Sequence, residues 1–273
     1  PATKLLTYRN FSSQCIVLNI PTVEPFQDVR VRQALNYGVD REAMNEAIYE
    51  GKFSISTGVS TATVVGSVYN EPYPYDPEKA MALLDEAGVV DTNNDGFREV
   101  DGAEKEFIFW TRKGQRAGDI EIAETFAAYM AEIGLNVKIE VQDSGQYFTL
   151  LNQPFGEAPY YDITNQAPSN FIADMSYPLE TMYSCTSWPG TAFNYAHYCN
   201  EEVDALINEG NLAGSLEEHN AKYAEAQNII WEDAVSVWLF DGILTVATTP
   251  DLKGVFSDGA HNVWQVKYAW FAQ

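Results

Sequence analysis

Pro25-Phe26-Gln27-Asp28-Val29-Arg30-Val31-Arg32-Gln33-Ala34-Leu35-Asn36-Tyr37-Gly38-Val39-Asp40-Arg41 is the stretch on which the reading of this chain turns. It predicts a helix that starts after Phe26, breaks near Gly38 and restarts with Asp40 as its N-cap. Val31, Ala34, Leu35 and Gly38 recur at helical spacing and are expected to face a core. Asp28 and Asp40 each offer a carboxylate to the unpaired N–H groups of a helix start. Arg30 and Arg32 are left for the outer side or for an ion pair. On its physics alone the stretch is a buried, capped helix pair.

Upstream, Cys15-Ile16-Val17-Leu18 lies in a short strand expected from Cys15 to Ile20. Pro21 and Pro25 then bracket a crossing between two bodies. Downstream, Gly51 to Pro74 is rich in Ser, Thr, Val and Gly and reads as loop. Asp76 and Pro77 restart a helix as N-cap and first helical residue. Ala80, Met81, Leu83, Leu84 and Ala87 form its apolar face, and Gly88 ends it. Asp91, Asn93 and Asp95 followed by Gly96 look like the opening of a calcium loop, but the twelfth position, which needs a bidentate Glu, is Gly102. An Asx-rich turn is therefore expected here, because Asn and Asp bond their own backbone.

Glu106 to Trp110 reads as a strand, Asp119 to Ile133 as a helix closed by Gly134, and Leu135 to Val141 as a second strand. Strand, helix and strand in this order predict a parallel, right-handed βαβ unit. Tyr147 to Leu151 is a short helix. Helices follow from Asn200 or Glu201 and from Leu216 to Asp233. Ser236 to Leu239 and Leu244 to Thr248 read as two strands, and an aromatic tail closes the chain.

The composition limits the function classes. With 16 Lys+Arg against 39 Asp+Glu, the net charge is -23 and no basic cluster offsets it. A nucleic-acid backbone would be repelled, so no nucleic-acid partner is expected. No apolar run is long enough to cross a bilayer. Pro1-Ala2-Thr3-Lys4 reads like the middle of a protein, so any membrane attachment would come from an anchor outside this chain.

Catalytic patterns are missing from the sequence. The histidines are His197, His219 and His261; none belongs to a HExxH pattern, and no G-x-S-x-G elbow occurs. Cys185 and His197 form a thiol–imidazole pair only in principle. Cys185 and Cys199 are either two thiols or a bridge closing a loop worth about 3 kcal/mol in the chain-entropy model. The region that looks unlike core runs from Tyr160 to Tyr198. It interleaves Tyr160, Tyr161, Phe171, Tyr177, Tyr183, Trp188, Phe193, Tyr195 and Tyr198 with Asp162, Asn165, Gln166, Asn170, Asp174 and Asn194. Aromatic faces with a few placed polar groups are what a small-ligand cleft requires.

Asn19 and the long ungapped run from Pro25 to Arg41 resemble the most recognisable segment of the extracellular solute-binding protein family 5, the peptide- and nickel-type receptors of ABC importers. Tyr73-Pro74-Tyr75-Asp76-Pro77 with Ala80, Leu83, Leu84, Ala87 and Gly88 is similar to the same family, as are Ile133-Gly134-Leu135 with Val137, and Tyr161-Asp162. Met182-Tyr183-Ser184-Cys185, Asn194-Tyr195 and Cys199 resemble its dipeptide-binding branch. The resemblance implies an α/β fold, a lobe of a type II (cluster C) periplasmic binding protein. Residues 1–20 would be a strand of the hinge and first lobe, 21–235 the second lobe, and 236–273 strands returning to the first lobe, most of which would lie outside the chain. It also implies a Cys185–Cys199 disulfide beside the cleft, and Asp174 as the nearest counterpart of an acid that holds a peptide amino group. That acid's surroundings differ here, reading Ala167-Pro168-Ser169-Asn170 and Met175-Ser176-Tyr177-Pro178.

The resulting expectation is an extracytoplasmic, monomeric binding component with no cofactor and no enzymatic step. It takes a short peptide or small polar solute and delivers it to ABC permease subunits. The expected ligand-binding residues are Asp174, Asp162, Asn165, Gln166, Tyr177, Trp188, Phe193, Asn194 and Tyr195. Two alternatives stand beside it. One is a secreted hydrolase acting on glycans or peptides, with Asp162 and Asp174 as paired carboxylates. The other is a surface interaction module on the same fold.

Overall fold

The first strand is far longer than its apolar run suggests. In the computed structural model, which describes residues 3–153, 161–167, 170–257 and 264–272, β1 spans Lys4–Leu18. It pairs antiparallel with β8, Ser236–Thr248, from Lys4 opposite Thr248 to Val17 opposite Ser236. The two strands expected within 236–248 are therefore one. Asp241 does not interrupt it, because its carboxylate accepts hydrogen bonds from Ser56 Oγ at 2.9 Å and Ala62 N at 3.2 Å. Tyr160, Pro168, Ser169 and His261, singled out above, lie outside the described residues.

β1 and β8 sit near the middle of a six-stranded sheet ordered β2-β8-β1-β7-β5-β6. The other members are β2 (Ser54–Ile55), β5 (Glu106–Lys113), β6 (Asn136–Asp143) and β7 (Ile163–Gln166). β5 runs parallel to both β6 and β7, and β7 runs antiparallel to β1. Helix α5, Asp119–Glu132, connects β5 to β6 as the predicted βαβ unit. A small hairpin of β3 (Glu99–Val100) and β4 (Ala103–Glu104) precedes β5. Two short pairings form the tail: β9 (Leu252–Lys253) with β12 (Trp270–Phe271), and β10 (Phe256–Ser257) with β11 (Trp264–Gln265).

Successive strand residues point to opposite faces, and here each face has its own core. Ile16, Leu18, Phe107, Phe109, Val237 and Leu239 pack with Phe26, Val31, Leu35, Met44, Leu84, Phe126 and Met130. Those partners come from α1 (Glu24–Gln27), α2 (Val29–Tyr37), α3 (Arg41–Tyr49), α4 (Pro77–Glu86) and α5. Cys15, Val17, Trp110 and Trp238 point the other way, against Tyr147, Leu179, Tyr183, Ile207, Tyr223 and Ile230. Those partners lie on α6 (Ser144–Leu151), a π-helical segment Leu179–Tyr183 that follows the short α7 (Ser176–Pro178), α8 (Glu201–Leu212) and α9 (Leu216–Glu232).

The helix starts follow the local signals. Asp28 accepts Arg30 N at 2.8 Å, Asp40 accepts Ala43 N at 2.9 Å, Asp76 accepts Lys79 N at 2.9 Å, and Asn200 accepts Glu202 N at 3.0 Å. Arg30 pairs with Asp28 at 2.5 Å, as one of the two expectations for it had it. Arg32 meets neither expectation. It is buried, and its guanidinium donates to the carbonyl oxygens of Phe26 (2.7 Å), Gln27 (3.2 Å) and Asp233 (2.8 Å). The carbonyls at the end of α9 and of α1 lack helical donors, and a guanidinium supplies several in one plane. Arg41 does the same beside it, donating to Trp238 O at 2.6 Å, Asn36 O at 2.9 Å and Asn36 Oδ1 at 2.8 Å. Burial pulls the Arg41 guanidinium down to about 10. The arginines of the opening stretch thus join α1, α2, α9 and β8 through backbone oxygens.

Candidate functional site

Ligands of open α/β sheets bind in the crevice beyond the carboxyl ends of the strands. β5 and β7 end at Lys113 and Gln166, and a cleft of about 230 Å³ opens beside those ends. Strand residues Cys15, Val17, Arg112, Gln166 and Ser236 line it, with Arg116 and Ala167 from the following loops. Phe148, Phe171, Tyr177, Met182, Tyr183, Phe193, Tyr195 and Ala196 complete its wall. Among the described residues, no carboxylate lines it, although the chain carries 39 Asp+Glu.

Arg112 is held in place by the sheet beneath the cleft. Its Nε lies 3.0 Å from Asp119 Oδ2, and its Nη1 donates to Asn165 O at 3.0 Å. The guanidinium stands 4.7 Å from the Tyr147 ring centroid and 5.5 Å from that of Phe148. Asn165 Nδ2 donates to Asp119 O at 2.9 Å, and Thr111 Oγ1 donates to the same oxygen at 2.9 Å. Gln166 Nε2 donates to Tyr147 Oη at 2.6 Å, and Tyr147 Oη donates to Asn165 O at 3.0 Å. Burial holds the Tyr147 phenol up at about 12, so it acts here as a neutral hydroxyl.

Arg116 is less committed. Its Nη2 donates to Ala167 O at 3.1 Å, while its Nη1 is buried without a hydrogen-bond partner among the described residues. Burial, and after it the charge of Arg112, hold the guanidinium below its usual range. Asp119, 3.0 Å from Arg112, is the carboxylate whose charge opposes that effect on Arg116. Gly118, at the start of α5, fixes the loop that carries Arg116. Its φ is +94°, and a Cβ there would run into the Tyr49 ring. Cys15 lies in the cleft wall as a free thiol, pushed up to about 12 by burial and hence protonated at neutral pH.

Of the residues expected from sequence, Gln166, Tyr177, Phe193 and Tyr195 line this cleft. Asn165 lies just beneath it, bonded to Asp119. Asp162 stands at the opposite end of β7, where its carboxylate accepts Ile108 N at 2.9 Å and lies 3.4 Å from Lys105 Nζ. The Asp174 carboxylate accepts Ser176 N at 2.9 Å and sits 3.6 Å from His219 Nε2. Trp188 stacks on His197 with centroids 5.4 Å apart. Asn194 is fully buried; its amide donates to Ser184 O and Tyr198 O and accepts Tyr198 N. Neither member of the carboxylate pair expected for a hydrolase lines the cleft. Cys185 and Cys199 are brought into bonding contact with Cα atoms 4.4 Å apart, and Cys185 N donates to Asp204 Oδ1 at 3.1 Å.

The two arginines were not among the sequence candidates. The strand was expected to end at Trp110, which put Arg112 in a loop. The available signal was a basic pair at the end of the first strand of a βαβ unit, in a chain with few basic residues.

A cation could be sought at Asp91, Asp95 and Glu99, whose carboxylate oxygens come within 4.8 Å of one another. Those oxygens are already engaged. Asp91 accepts Asn94 N and Gly96 N, Asp95 accepts Phe97 N, and Glu99 accepts Thr92 N at 2.7 Å. The segment is the Asx-rich turn expected from its sequence.

The profile of the bacterial extracellular solute-binding proteins, family 5 Middle, matches residues 1–190. The glutathione-binding protein GsiB of Salmonella choleraesuis is 28% identical over 255 residues, covering 92% of this chain and 46% of the relative. GsiB of Escherichia coli K12 is 26% identical over the same shares. The oligopeptide-binding protein AppA of Bacillus subtilis, solved with a nonapeptide, superposes with a TM-score of 0.85 at 23% identity, covering 99% of this chain and 53% of that one. DppA of Helicobacter pylori, a periplasmic binding protein associated with an ABC transporter and solved with the peptide STSA, superposes at 0.83 with 25% identity, covering 100% and 49%. The fold is therefore that of type II periplasmic binding proteins, and the chain spans about half the length of the curated relatives it matches.

Proposed function

This chain belongs to the bacterial extracellular solute-binding proteins of family 5, and from that premise we propose that it forms one wall of an extracytoplasmic substrate receptor for an ABC importer. In this reading residues 21–235 are the second lobe, and residues 1–20 and 236–273 carry the hinge strands toward a first lobe. A ligand is held where the lobes meet, closure around the hinge completes its contacts, and the closed receptor docks on permease subunits. The receptor binds and releases without chemistry, needs no cofactor, and works as a monomer. The Cys185–Cys199 disulfide suits an oxidising compartment.

The observation that carries the reading is the cleft beyond β5 and β7, with aromatic walls and a guanidinium whose buried Nη1 has no hydrogen-bond partner among the described residues. Arg116 is suited to a ligand carboxylate, since charge-assisted bonds to a carboxylate are the strong ones. Gln166, Tyr177, Phe193 and Tyr195 are the further contacts we assign. Short peptides and glutathione, the molecules named for the relatives and neighbours, all carry such a carboxylate. The hydrolase alternative has no comparable support, because Asp162 and Asp174 stand elsewhere. The test is a titration of the chain with a short-peptide library and glutathione, followed by ligand-observed NMR. Saturable binding without turnover is expected. Cleavage of any bound peptide, or no binding across the set, overturns the reading.

A further inference from the structure

The rings that wall the cleft turn carbon toward it. Tyr183 Oη donates to Val59 O at 3.1 Å and Tyr195 Oη donates to Asn152 Oδ1 at 3.2 Å. Both hydroxyls are thus satisfied by protein, and their ring faces remain for the cleft. Met182 and Tyr183 are consecutive, and both reach the cleft from the π-helical segment Leu179–Tyr183. π-Helical turns recur at functional sites, and a thioether adapts its shape to what it touches. At the mouth, Phe171 and Phe193 remain 38% and 42% exposed. They pack edge-on against Tyr177 and Tyr195, with ring centroids 5.3 Å and 6.4 Å apart.

The polar groups are gathered on the other side. Arg112, Arg116, Gln166 and Ser236 all come from strand ends or the loop after β5. The volume of about 230 Å³ is that of one ligand portion, since whole small-ligand sites run to roughly 300–1,000 Å³. With no carboxylate in the described lining, an ammonium placed here would face Arg112 and Arg116 without a counter-charge. Against the ring-lined wall, away from Gln166 and Ser236, a polar side chain would lose its water without a replacement bond.

Resting on the receptor reading above, we propose that this wall selects a bulky uncharged apolar side chain lying next to the ligand carboxylate, with Phe148, Met182, Tyr183 and Tyr195 as its floor and Phe171 and Phe193 as its rim. The carboxylate goes to the Arg116 side, and the side chain fills the ring-lined volume. Side-chain identity at this one position then decides affinity, while the rest of the ligand is read elsewhere.

Four dipeptides that differ only in the second side chain test this: Gly-Phe, Gly-Leu, Gly-Asn and Gly-Lys, each titrated into the isotopically labelled chain by NMR. Gly-Phe and Gly-Leu are expected to bind at least about tenfold more tightly than Gly-Asn and Gly-Lys, the scale on which apolar pockets discriminate. Phe171→Ala and Phe193→Ala alter exposed rings, so the fold is kept. Each is expected to weaken Gly-Phe severalfold more than Gly-Asn, and so to reduce the Gly-Phe preference. Equal affinity for all four overturns the selectivity but leaves the receptor reading standing. A preference that survives both substitutions undiminished overturns the assignment of the rim. Binding of none of the four removes the selectivity together with the reading on which it rests.

Discussion

Arg112 Nε lies 3.0 Å from Asp119 Oδ2, and the two side chains are 1% and 8% exposed. The pair bridges the end of β5 and the first turn of α5, directly under the cleft. Removing one partner of such a pair leaves the other charge buried without compensation, typically at a cost of about 3–5 kcal/mol. Asp119→Ala is therefore expected to lower unfolding stability by that order, measured by urea denaturation. An unchanged denaturation midpoint would show that Arg112 finds its counter-charge elsewhere.

Arg116 has the opposite balance. Its Nη1 has no hydrogen-bond partner among the described residues, so its desolvation is not offset by a bond. Arg116→Met is expected to keep or raise stability while weakening carboxylate-bearing ligands by about tenfold to a hundredfold, as hydrogen bonds to charged groups are worth roughly 1.5–3 kcal/mol. Amidated forms of the same ligands should lose nothing further. Equal loss for acid and amide would place the carboxylate away from Arg116.

His197 is 3% exposed and burial pulls its imidazole down to about 4. A base whose folded value lies below its unfolded value of about 6.5 favours folding when neutral. Its contribution is complete above about pH 6.5 and is lost as pH falls toward 4, on the order of 3 kcal/mol in all. His197 also has φ of 50°, which Asn tolerates better than most residues. His197→Asn is expected to flatten the fall in stability between pH 6.5 and 4. An unaltered pH profile in the variant would assign that fall to the carboxylates instead.

Cys185 and Cys199 close a 14-residue separation, and removing such a bridge costs about 3 kcal/mol in the chain-entropy model. The double variant Cys185→Ser/Cys199→Ser should be destabilised by that order. In the native, unreduced chain a thiol reagent should label neither residue, and Cys15, buried and protonated, should label only on unfolding. Prompt labelling of two thiols in the folded chain would show that the bridge does not form in solution.

The features that local chemistry controls were legible in the residues. Asp28, Asp40, Asp76 and Asn200 cap the helices that follow them because capping involves only neighbours along the chain. The β5–α5–β6 unit was legible because helical and strand periods differ within a few residues. What was misread had partners far away in sequence. Two strands were expected within 236–248, yet Ser56 and Ala62 satisfy Asp241 and one strand runs through. Arg32 was expected on the outer side or in an ion pair, yet it serves the carbonyl of Asp233 across 201 positions.

The sequence by itself therefore determined the family, the α/β class and the capped starts of α2, α3, α4 and α8, since each depends on residue order or on near neighbours. It also placed Gln166, Tyr177, Phe193 and Tyr195 in a ring-rich segment that does wall the cleft. Only the tertiary structure decided that Asp162 and Asp174 stand away from that cleft and that Arg112 and Arg116 stand in it. The physical reason is sheet order. Trp110 of β5 and Thr164 of β7 are 54 positions apart yet lie side by side, so the carboxyl ends of the two strands bring Arg112 beside Asn165 and Gln166, a juxtaposition that no spacing along the chain records.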